Sequence, residues 1–183
     1  MRALIFFIFL IAFDMAKALP DTSYIEYASL KTNWYEEKGR IVEVSLRTGK
    51  LFFDVKNRIV GIDNIKYHYE VVKTSEWKGI TSLGFNFVLP KGWAPEEGVS
   101  WYFDGFAYRN KHPVPLWVNG RKIDVTPIRA INHDSKVALN NPMILLYSKA
   151  DGLIGVVDFG YDEELSSYDE TTYMLISSEG IKF

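Results

Sequence analysis

Leu116-Trp117-Val118-Asn119-Gly120-Arg121-Lys122-Ile123 reads as two short strands closed by a two-residue turn. Both central residues of a type I′ turn need positive φ, which Asn and Gly adopt most readily, so Asn119-Gly120 sets the register. Val118 then opposes Arg121, Trp117 opposes Lys122 and Leu116 opposes Ile123. Just upstream, Pro113 and Pro115 bracket Val114. Proline lacks the backbone donor that a central strand requires, so Pro115 fits an edge strand or a strand's entry better than a central position. Trp117 is therefore expected near a sheet margin, accessible to a partner.

The same grammar extends in both directions. Asp151-Gly152 is a second turn signal, expected to pair Lys149 with Ile154, Tyr147 with Val156 and Leu145 with Asp158. Both faces of this pair are apolar, as in a central pair covered on each side. Towards the N-terminus, Val42, Val44 and Leu46 alternate with Ile41, Glu43 and Ser45. Arg47-Thr48-Gly49-Lys50 then reads as a turn before Leu51, Phe53 and Val55. Ile65, Tyr67, Tyr69 and Val71 form the apolar face of another strand, with Lys66, His68 and Glu70 opposite. Phe85, Phe87 and Leu89 form one more, ended by Pro90-Lys91-Gly92, and residues 173–177 close the chain. Aromatic residues make up 15% of the sequence and alternate with polar ones. Turn signals at about ten-residue spacing complete the signature of an all-β fold. The expectation is an antiparallel β-sandwich or jelly-roll-like barrel of roughly 8–10 strands. A short N-terminal helix is the one addition, since Ser23-Tyr24-Ile25-Glu26 fits a capping box, although its apolar periodicity is poor.

Residues 1–18 read as a cleavable signal peptide. Arg2 supplies the positive start, Ala3 to Phe13 the apolar run, and Ala16-Lys17-Ala18 the small residues of a cleavage site. That run is short of the ~20 residues needed to span a bilayer, and Asp14 ends it. Residues 19–183 then form a single β-rich domain, exported to a periplasm or secreted, with no stable membrane anchor after cleavage. The chain has no cysteine, so no disulfide supports it. A net charge of −2 without basic runs makes nucleic acid and anionic membranes poor partners.

Recognised catalytic motifs are absent: no nucleophile elbow, Walker loop or dinucleotide fingerprint occurs. Three histidines exist, at positions 68, 112 and 133, and their spacing does not suggest a zinc site. No metal ligand set and no cofactor is expected. His68 and Glu70, two apart on a strand, point the same way and could form an acid/base pair, half a metal site or a solvated edge. His133-Asp134-Ser135 has the residue types of a hydrolase triad, but sequence neighbours do not converge, and they read better as caps of a helical turn over residues 137–139. Asp158 shares a face with Leu145, Tyr147 and Val156, which would raise its pKa unless it is paired or the strand frays. The acidic run Asp162-Glu163-Glu164 and Asp169-Glu170 lacks the ligand spacing of a calcium loop.

Residues 100–117 are the most suggestive segment. Read as one strand, they direct Val99, Trp101 and Phe103 to the core and Tyr102, Asp104, Phe106 and Tyr108 to the other side, followed by Arg109. Together with Trp117, these six are the candidate ligand-binding residues, because aromatic rings flanked by hydrogen-bonding groups suit sugars. Three functional readings follow. The first is a non-catalytic exported β-sandwich binding a carbohydrate or an envelope protein partner through an aromatic face. The second is a secreted or periplasmic hydrolase using scattered carboxylates and histidines. The third is an envelope structural or assembly protein that offers the edge strand near Pro113 to a partner.

Overall fold

A computed structural model describes residues 24–37, 40–82, 85–133, 143–162, 167–177 and 180–182. The expected signal peptide, the turn at 137–139, Asp134, Ser135, Glu163 and Glu164 lie outside them. The architecture is all-β and antiparallel. The described residues form fourteen strands, more than the eight to ten expected, because several hairpins are cut into four- or five-residue strands. They are β1 (Tyr24–Glu37), β2 (Arg40–Asp54), β3 (Ile59–Ile62), β4 (Ile65–His68), β5 (Glu70–Lys73), β6 (Trp77–Thr81) and β7 (Asn86–Pro90) in the first half. The second half contains β8 (Ser100–Phe103), β9 (Phe106–Asn110), β10 (Val114–Val118), β11 (Arg121–Asn132), β12 (Met143–Ser148), β13 (Gly152–Asp162) and β14 (Ser167–Leu175).

One large sheet runs β4-β3-β2-β1-β14-β13-β12-β11-β9-β8, with β10 paired to β11 beside this path. A small sheet, β5-β6-β7, lies over its inner face. The core between them is aromatic. Phe85 meets Phe53 edge to face at 5.6 Å, and Phe87 and Trp93 meet Tyr147 at 5.3 and 5.4 Å. Edge-to-face contacts between rings set positive edges against negative faces, which adds to the gain from burial.

Several local expectations are corrected. Tyr24 onward is strand, so no helix follows the capping-box sequence. The turn read at Arg47–Lys50 is continuous strand: Thr48, Gly49 and Lys50 pair with Leu30, Ser29 and Ala28. A Cβ at Gly49 would meet the Asp63 carboxylate and the Ser29 hydroxyl, so any larger residue there displaces those side chains. Asp63 accepts the Lys50 N–H at 2.9 Å and donates its own N–H back to the Lys50 carbonyl at 2.8 Å. The strand read through residues 65–71 breaks at buried Tyr69, whose N–H bonds the Arg58 carbonyl. There the chain leaves the large sheet and begins the small one.

The Asn119-Gly120 hairpin has the expected register, with φ of +50° and +75° at the two turn residues. The 151–152 hairpin does not. Its loop is Lys149–Asp151 with Gly152 at φ +86°, and Ser148 pairs with Gly152. A bulge between Leu146 and Tyr147 then sets Leu145 opposite Val156. β11 also changes face part-way. Ile123 and Val125 are buried, and then Thr126, Ile128 and Ala130. Two adjacent inward residues mark the point where β11 leaves β10 and joins β9 and β12.

The chain from β7 to β8 is fixed by Asn110, which is fully buried. Its amide donates to the carbonyls of Ala94 and Glu96 at 2.8 and 2.9 Å and accepts the Trp93 indole N–H at 3.2 Å. Asn110→Ala is expected to cost about 2–4 kcal/mol, because it strands buried partners. Asn110→Asp should also destabilise, since a carboxylate cannot donate to two carbonyls. Urea unfolding measures both, and an alanine variant within ~0.5 kcal/mol of the parent, the range of ordinary surface changes, would contradict this assignment.

Candidate functional site

The segment 100–108 is a hairpin. Asp104 and Gly105 take φ of +45° and +79°, the same signature as Asn119-Gly120, and Phe103 pairs with Phe106. The fold-back exchanges the faces expected after the turn. Trp101, Phe103, Phe106 and Tyr108 now share the inner face, while Ser100, Tyr102, Ala107 and Arg109 share the outer one. Trp101 and Tyr108 stack at 5.3 Å with planes 7° apart. Their polar ends serve the small sheet: the Trp101 indole donates to the Val88 carbonyl at 2.8 Å and the Tyr108 hydroxyl to the Asn86 carbonyl at 3.4 Å.

The six candidate residues are therefore distributed over separate places. Tyr108 is 1% exposed and Phe106 is half-buried beside it. Asp104 stands at the hairpin tip. Tyr102, 57% exposed, and Arg109 lie on the outer face. Trp117, 68% exposed, projects from the β10–β11 hairpin opposite Lys122. Among the described strands β10 pairs with β11 alone, as Pro115 led one to expect.

What the fold does assemble is an open cavity of about 690 Å³ where the small sheet leaves the inner face uncovered. His68 and Glu70 enter it from either side of the sheet crossing, Asn86 from the start of β7 and Asp104 from the hairpin tip. Asn132 of β11, Met143 of β12 and Asp158 of β13 line it from the large sheet. His68 and Glu70 thus line one cavity although the strand expected to carry both breaks between them at Tyr69. Asp158 shares the inner face with Leu145 and Val156, and its side chain is exposed towards the cavity. The lining carries three carboxylates and a histidine, and no lysine or arginine.

The two other histidines are elsewhere. His112 pairs with Glu97 at 3.3 Å on the surface. His133 is exposed beyond β11, and its N–H bonds the Gly105 carbonyl. No group of three or more histidine or carboxylate side chains is placed to hold a metal ion among the described residues. Asn86, Asp104, Asn132 and Asp158 come from distant points in the chain. Only the Asp104-Gly105 dipeptide, a hairpin signal, could have corrected the reading from sequence.

No family model, curated protein or solved structure matches this chain.

Two phenols lie in the electrostatic reach of this cavity. Burial pushes the Tyr108 hydroxyl well above its ordinary pKa, and the Asp104 charge adds to the shift. Tyr173 is pushed up to about 12 by burial first and then by Asp63 and Asp158. A phenol held neutral in the fold but free to ionise when unfolded leaves stability intact below its ordinary pKa of ~10. Stability then falls as pH rises from there towards the folded value. Urea unfolding midpoints should thus be level up to about pH 10 and drop above it, with the tyrosinate absorbance of the buried rings appearing together with unfolding. Tyrosinate rising fully around pH 10 in a protein that stays folded would contradict the buried state of these rings.

Proposed function

We propose that this chain is an exported, non-catalytic β-sandwich protein that binds a small polyhydroxylated ligand, a carbohydrate, in the cavity between its sheets. The observation that carries this reading is the convergence of Glu70, Asn86, Asp104, Asn132 and Asp158 on one open concavity with Phe106 at its side. Carboxylates accept and amides both donate and accept, a mixture that suits adjacent hydroxyl groups. The volume is that of a small-molecule site, in which a few placed polar groups fix orientation. The sign of the lining selects further. With carboxylates and no basic side chain, it favours neutral or amino sugars over acidic ones. Export rests on the leader read at residues 1–18, and the aromatic platform first expected on residues 100–108 gives way to this cavity.

One observation favours a second reading. His68 lines the same cavity as three carboxylates, the residue types of general acid–base hydrolysis. Binding and turnover separate the two.

Calorimetric titration of residues 19–183 with neutral, amino and acidic sugars is expected to show binding of the first two classes. Asp104→Asn and Asp158→Asn should each weaken it by about tenfold, the equivalent of ~1.4 kcal/mol per charged hydrogen bond. Trp117→Ala should leave it unchanged. Chromatography of the incubated sugars tests the alternative: release of shorter products, lost in His68→Ala, would replace the binding reading with the hydrolase. A folded protein that binds none of the panel would remove the carbohydrate assignment.

A further inference from the structure

On the side of the large sheet away from the cavity, pairing of β9 with β11 sets Arg109 directly opposite Arg129. Directly opposed residues of an antiparallel pair have Cβ atoms about 5 Å apart, and like charges in that position destabilise the sheet. Their neighbours on this face do not relieve the repulsion. Ser100 and Ile144 continue the same row on β8 and β12. Ala107 and Lys111 follow along β9, and Pro127 and Ile131 along β11. None of these is acidic, and Lys111 adds a further positive charge about 7 Å along the strand direction, two residues on. Neither arginine forms an ion pair with a carboxylate among the described residues. Arg129 is half-buried while Arg109 is exposed, so the pair presents donors to solvent from a partly desolvated base.

Such a cluster was invisible in a sequence of net charge −2, because Arg109 and Arg129 become neighbours only through strand pairing. A guanidinium is a planar fork of donors matched to the oxygens of a phosphate, sulfate or carboxylate, and two opposed forks can hold one such group from both sides. Tyr102 lies diagonal to Arg109 on the same face, two pairs further along the β8–β9 ladder, with its ring open to solvent. A ring beside an oxoanion site suits a charged sugar residue, which offers an acidic group and a stacking face together.

We propose that the outer face of β9 and β11 binds an oxoanion group between Arg109 and Arg129, carried by an acidic or sulfated saccharide or arriving as a free anion. The site is separate from the inner cavity and does not depend on the reading given to that cavity.

Titration of residues 19–183 with inorganic sulfate, a heparin-derived oligosaccharide and a single-stranded oligonucleotide of equal charge tests it. Arg109→Ala and Arg129→Ala should each weaken oligosaccharide and sulfate binding by about tenfold or more. Arg→Lys at either position should restore part of it, since lysine keeps the charge but loses the fork. Lys122→Ala, on the distant β10–β11 hairpin, removes an equal charge and should change nothing. A second measurement is independent of the saccharide. Sulfate should raise the melting temperature of the parent above that in chloride of equal ionic strength, and this increment should shrink in both alanine variants. Tighter binding of the oligosaccharide than of sulfate assigns the group to a saccharide. Equal affinity assigns it to the free anion, and either result supports the site. Equal losses in the arginine and Lys122 variants, an oligonucleotide bound more tightly than the oligosaccharide, or no binding of any probe by folded protein would overturn it.

Discussion

The free edge of β7 is the constraint on which the two-sheet arrangement depends. β7 closes the small sheet, and among the described strands none pairs with its outer side. Its outward carbonyls at Asn86 and Val88 are nonetheless satisfied, by the hydroxyl of Tyr108 and the indole of Trp101. A buried carbonyl left without a donor costs about 1–3 kcal/mol, so the stacked pair does more than fill space. It substitutes side-chain donors for the missing strand and so fixes where the small sheet meets β8 and β9. Asn110, two residues beyond Tyr108 on the same inner face, extends this seam by holding the β7–β8 connection at Ala94 and Glu96. The backbone N–H of Asn110 also bonds the carbonyl of Val99.

The seam explains why the cavity lies where it does. The small sheet is anchored at Tyr69, where the chain crosses from β4, and at the Trp101–Tyr108–Asn110 seam. Three strands of four or five residues cannot cover the inner face of strands as long as β11 and β13. The face is therefore open past Thr81 and Asn86, and the inward residues there are Ala130, Asn132, Met143 and Asp158. Those nearer the small sheet, Ile128, Leu145 and Val156, are buried and apolar. Along β11 and β13 the inner face changes from core to cavity lining within two or three residues, at the boundary of the sheet above.

Much of the fold was legible from turn chemistry and alternation. Asn119-Gly120 specified both a hairpin and its register, because two positive-φ residues admit one geometry. Asp151-Gly152 signalled a hairpin but not its loop length. Only Gly152 takes positive φ there, and the bulge at Leu146/Tyr147 shifts the pairing. Gly49 shows the opposite ambiguity: a glycine that reads as a turn serves as space for the Asp63 side chain within a strand. The candidate site was less legible. Reading residues 100–108 as one strand sent Tyr108 outward, whereas the Asp104-Gly105 turn sends it inward to stack on Trp101. A turn in the wrong place reverses the assigned face of every residue beyond it. The cavity itself joins residues from both sheets and from distant strands, which no local pattern encodes.

Strand alternation also separates charge. Tyr108 and Asn110 point inward to build the seam, so Arg109 between them must point outward, beside Arg129. Asp104 stands at the turn of the same hairpin and lines the cavity. One hairpin thus contributes a carboxylate to the inner concavity and a guanidinium to the outer face, with the seam between them. The net charge of the chain averages over two local environments of opposite sign. Asp104 in the turn and Arg109 in β9 thus place opposite charges on the two sides of the large sheet, five residues apart in the chain.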